Sequence, residues 1–118
     1  MKGGFYEKIE KILEEDARYK AGAYEFVMAG LGYTLWKLKK EGHVSGRELS
    51  GGLKDFAIEQ FGPMARTTLE YWGIHASIDF GEIVYNMIDA GLMGRTEEDR
   101  KEDFKDIYDF DKVFGNSG

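Results

Sequence analysis

A mainly α, single compact domain of about five helices is the fold this chain predicts, and three observations predict it. Apolar residues recur at helical spacing, first in Phe5, Ile9, Ile12 and Leu13. Two capping signatures, Ser45-Gly46-Arg47-Glu48 and Asp79-Phe80-Gly81-Glu82, stand ahead of further apolar stripes. Only one proline, Pro63, interrupts the 118 residues. That length suits one hydrophobic core, since domains run to about 100–200 residues. The 42% apolar and 14% aromatic content can fill such a core, which excludes a disordered chain. With no cysteine, disulfides and thiolate chemistry are excluded as well.

Taken in order, residues 1–16 predict an amphipathic N-terminal helix over about 4–15, with Lys8, Glu10, Lys11 and Glu14 facing away from the stripe. Tyr24, Val27, Met28, Leu31, Leu35 and Leu38 then predict a central, most buried helix over about 17–41. Gly22, Gly30 and Gly32 inside it each cost up to about 1 kcal/mol against alanine, so they are expected where another backbone comes close. Ser45 and Glu48 form a capping box, with Val44 and Leu49 as its staple, so a helix starts at Gly46 and ends at Gly62-Pro63. A short helix over Pro63–Trp72 follows and stops at Gly73. Asp79 is expected to cap the next helix, with Glu82 at its third position and Ser77 as a rival cap; that helix closes at Gly91. Residues 96–118 form an acidic C-terminal segment in which Thr96 caps a turn through Asp99. Phe104, Ile107, Tyr108, Phe110, Val113 and Phe114 dock the segment on the body, and Asn116–Gly118 fray. The alternative is a winged-helix-like arrangement in which 79–90 is a recognition helix and Phe104–Phe110 belongs to a small two-stranded wing.

Charge narrows the function classes. The net charge is -6 and the pI near 4.9, with eight acids against four bases in 96–118. Such a balance opposes a domain built to neutralise phosphates. The 79–90 helix carries Asp79, Glu82 and Asp89 but no Lys or Arg, leaving Asn86 alone to read a base. A nucleic-acid binder would instead need a continuous basic stripe from Lys37, Lys39, Lys40, Arg47, Lys54 and Arg66. No signal-peptide core or membrane span is legible, so a cytoplasmic location is expected. Gln60, Asn86 and Asn116 are the only side-chain amides amid abundant Lys and Glu, a bias expected of a warm-growing source.

Several separated motifs together resemble a family. Ala23-Tyr24-Glu25-Phe26-Val27, His43 to Leu49, Phe61-Gly62, Trp72-Gly73-Ile74, Asp79 to Val84 and Glu102-Asp103-Phe104 are similar to the Minf-type family of small bacterial proteins. The resemblance covers about residues 17–114 and implies a bacterial single-domain protein. It implies no activity, ligand or catalytic residue.

Two groups of residues are candidates for ligand binding. The first is His43, Arg47, Glu48 and Trp72; the second is His75, Asp79 and Glu82. Ser45 and Glu48 beside His43 invite a triad reading, but helix capping already employs both. The two histidines match no zinc-ligand spacing. Asp99, Asp103 and Asp106, with Glu98 and Glu102, lack the glycine and ligand order of a calcium loop. Gly30-Leu31-Gly32 and Gly51-Gly52 lack the remainder of a nucleotide fingerprint. No catalytic residue, metal or cofactor is therefore assigned. The expected function is protein interaction or scaffolding, through the acidic C-terminal surface and an apolar or aromatic patch, with a protein partner or by self-association. An enzyme or small-ligand module at His43 or His75 is the alternative, and a winged-helix nucleic-acid binder the third reading.

Overall fold

Helix α1 spans Phe5–Glu15 and buries Ile9 and Ile12, the stripe that its three- and four-residue spacing sets up. The computed structural model describes residues 4–115, so the expected fraying of Asn116–Gly118 lies outside the described residues. After α1, the Asp16 carboxylate turns the chain by accepting the Arg18 amide at 3.0 Å and its guanidinium at 2.7 Å. This turn delays the central helix: α2 spans Ala21–Leu38, not 17–41. Its other end closes early because Lys39 takes the left-handed conformation (φ 57°). The Lys39 and Lys40 amides then return to the carbonyls of Trp36 and Leu35, which satisfies the last turn without glycine.

Helix α3, Gly46–Phe61, begins as expected. Ser45 Oγ accepts the Glu48 amide at 3.0 Å, and the Glu48 carboxylate accepts the Ser45 amide at 2.9 Å. A 3-10 turn at Gly62–Met64 leads into α4, Ala65–Tyr71. Helix α5, Ser77–Asp89, starts three residues before the sequence expectation. Asp79 sits at its third position and reaches back to accept the amides of His75 (2.8 Å) and Ala76 (3.1 Å). Ser77 is no cap either. Its hydroxyl donates to the Phe104 carbonyl at 2.6 Å and accepts the Ile107 amide at 3.1 Å. A 3-10 turn at Lys101–Phe104 and α6, Phe110–Phe114, complete the described chain.

The helices α2, α3 and α5 enclose the centre, where Tyr24, Val27, Leu53, Phe80, Ile83 and Met87 lose essentially all exposure. Each such aliphatic or aromatic side chain contributes about 1.5–3 kcal/mol of burial. The radius of gyration, 13.7 Å, is close to the roughly 13.5 Å expected of a compact domain this long. The glycines of α2 admit side chains and not a backbone: a Cβ at Gly22 would strike the Trp72 indole, and one at Gly30 the Leu53 side chain. Gly32 faces open space.

No strand occurs among the described residues, and 91–109 is a series of turns, so the two-stranded wing is not formed. Phe104 explains why. Its ring lies 2.9 Å from where a Cβ of Gly46 would be, and its Cβ equally close to one of Gly81. The segment is thereby drawn flat across α3 and α5. The would-be recognition helix, α5, is an interior element with Phe80, Gly81, Ile83, Val84 and Met87 buried.

Candidate functional site

The turns between α2 and α3 and those after α5 meet beside Val84 and Ile88 of α5, and a cleft of about 310 Å³ opens between them. Its floor is apolar: Leu31 of α2, Leu49 of α3, Val84 and Ile88 of α5, and Met93. Its rim is polar, with His43 and Ser45 on one side and Arg95, Thr96, Asp99 and Arg100 on the other. Helix α3 directs its N-terminus here because the capping box places Ser45 and Gly46 at the edge.

Local geometry holds the rim. Asp99 accepts the Thr96 amide at 2.8 Å, so here the acid caps the turn and not Thr96. Its Oδ2 also lies 3.3 Å from His43 Nε2, so the two sides of the cleft approach each other here. Asp103 accepts the Arg100 amide at 3.0 Å. The Arg95 guanidinium donates to the carbonyls of Thr96 and Asp99 and stands 5.5 Å over the Tyr85 ring. Tyr85 lines the cleft as well. Its hydroxyl is sealed from solvent with no hydrogen-bond partner, and burial raises its pKa above the ordinary tyrosine value.

Of the first candidate group, only His43 reaches this cleft. Arg47 is exposed outside it. Glu48 is held by its capping bond and by Lys40 at 2.7 Å, and the Lys40 contact foremost lowers its pKa. Trp72 belongs to the opposite side of the core, against Gly22, Phe26 and Phe61. His43 has no hydrogen bond to Ser45, so the pair does not assemble a nucleophile and base.

The second group is partly assembled and is structural. Asp79 accepts the phenol of Tyr19 at 2.5 Å, and that ring is 2% exposed. Burial, then Asp79, pushes the Tyr19 pKa far upward. Glu82 pairs with Lys101 at 3.0 Å and Arg18 at 3.3 Å, and together they outweigh burial and lower its pKa. His75 contributes only its amide, its imidazole being exposed. Asn86 bonds Asp16 and Tyr24, leaving it unavailable to a base.

Among the described residues, no three His, Asp or Glu side chains come together as a metal ion requires. The basic stripe that a nucleic-acid binder would need is interrupted: Lys37, Lys40, Lys54 and Arg66 each pair with a carboxylate. No helix among those residues is long and apolar enough to cross a membrane. Sequence reasoning missed Tyr85, Arg95, Asp99 and Arg100 as neighbours of His43. Their one local signal is the Thr96-x-x-Asp99 turn flanked by two arginines, which does not reveal what it faces. No family model, curated protein sequence or solved structure matches this chain.

Proposed function

We propose that the protein is a small-molecule-binding domain whose site is the cleft at His43. One observation carries this reading: an apolar floor and a polar rim converge on a concavity of about 310 Å³, at the small end of the roughly 300–1,000 Å³ typical of ligand sites. The rim is contributed by segments far apart in sequence, with Asp99 of one standing 3.3 Å from His43 of the other. The test is amide-shift mapping with a library of small organic compounds. Binders should shift residues 43–49, 84–88 and 93–104 together. A library whose only binders shift other surfaces refutes the reading.

Protein interaction is the second reading, and the exposure of Trp36 favours it. That indole is 74% exposed beside Tyr33, which packs on Phe56. Such an aromatic anchor suits a partner protein or a second copy. The acidic segment 96–118 would then repel acidic partners and favour basic ones. A cytoplasmic location, a warm-growing bacterial source and Minf-type membership belong to the same proposal. The scarcity of amides supports the warm source, and the motifs across 17–114 support the membership.

A further inference from the structure

We infer that the cleft's ligand is an organic anion, an apolar body bearing one carboxylate or comparable group, with Arg100 as its counter-charge; this rests on the cleft being a ligand site. The argument is an inventory of donors and acceptors around the concavity. Its two carboxylates are engaged, Asp99 by the Thr96 amide, with His43 Nε2 3.3 Å away, and Asp103 by the Arg100 amide. Arg95 is engaged as well, by the Thr96 and Asp99 carbonyls.

The Arg100 guanidinium is different. It lines the cleft, and among the described residues it has no acceptor for any of its N–H groups. Ser45 and Gly46, at the start of α3, border the same space, with the capping box already closing that helix end. What remains unused at the rim is thus a fixed cation, Arg100, which complements an acceptor group with negative charge. A cationic ligand would meet engaged carboxylates and an unpaired arginine. The aliphatic floor of Leu31, Val84, Ile88 and Met93 takes the apolar body.

The test uses the full chain and two nearly isosteric probes, 2-naphthoate and neutral 2-naphthamide, by titration calorimetry with amide-shift mapping. The carboxylate should bind about tenfold more tightly, as one charge-assisted contact warrants, and should weaken as sodium chloride is added. Arg100→Gln should remove most of that difference while leaving the amide's affinity unchanged; because Arg100 is exposed, the variant's circular dichroism should match the parent's. Equal affinity of both probes at cleft residues, or an unchanged preference in Arg100→Gln, overturns the anion assignment and leaves the cleft as a site. Failure of both probes to shift any cleft residue overturns the anion assignment; if the wider library also leaves the cleft unshifted, the ligand-site reading falls with it.

Discussion

Replacing Ser77 by alanine should unfasten the C-terminal segment from α5. Ser77 is 1% exposed, and one hydroxyl serves two backbone groups from the segment, donating to the Phe104 carbonyl and accepting the Ile107 amide. Alanine keeps the volume nearly constant but leaves both groups unpaired. A buried unsatisfied group costs about 1–3 kcal/mol. The Phe104 carbonyl belongs to a residue 3% exposed, whereas Ile107 is half-buried and can recover water. The sum is about 2–4 kcal/mol, a large share of a stability of roughly 5–15 kcal/mol. Urea denaturation at constant slope measures the loss, and amide exchange at Ile107 locates it. A loss below about 1 kcal/mol, with the Ile107 amide still protected, would refute the view that this hydroxyl holds 104–114 against α5.

Other perturbations separate capping from deeper roles. Ser45→Ala should cost about 1 kcal/mol as a lost N-cap. Asp79→Ala should cost about 2–4 kcal/mol, because it also strips the acceptor from the buried Tyr19 hydroxyl; parity of the two in thermal or urea melts would contradict this ranking. Gly52→Ala should destabilise by about 1–3 kcal/mol despite better helix propensity, since its Cβ would lie 2.7 Å from the Thr34 Cβ and Cγ2, and Thr34 is fixed by its bond to the Gly30 carbonyl. A more stable Gly52→Ala would show that α2 and α3 are less tightly apposed. Hydrogen bonds from Arg18 foremost, opposed by burial and aided by Asn86, hold the Asp16 carboxyl well below the usual carboxylate range. Its folded value lies below the unfolded value of about 3.9, so its stabilisation is present above about pH 5 and lost as pH falls from about 4 towards the folded value. Urea midpoints between pH 2 and 6 should slope less in Asp16→Asn, and an unchanged slope would exclude this role.

Helix identity and order were legible before any coordinates. The α3 start could be read because a capping box closes within four residues, Ser45 to Glu48, and needs nothing from the rest of the chain. The α5 start was misread for the opposite reason. Asp79 looks like a cap from its neighbours alone, yet Ser77 is taken inside the helix by its bonds to Phe104 and Ile107, some thirty residues away. The late start of α2 follows likewise from the Asp16–Arg18 turn, and its early end from a non-glycine left-handed residue, Lys39.

The sequence by itself determined that this chain makes helices, roughly where they lie, and that its polar signatures serve helix ends, because spacing and capping act over a few residues. Only the tertiary structure decided which polar residues meet. His43 and Asp99 are separated by 56 positions and stand 3.3 Å apart, while His43 and Trp72, offered together, lie on different sides of the core. A cleft is a property of how helices pack, and packing is set by burial summed over the whole core, as where Phe104 seats on Gly46 and Gly81.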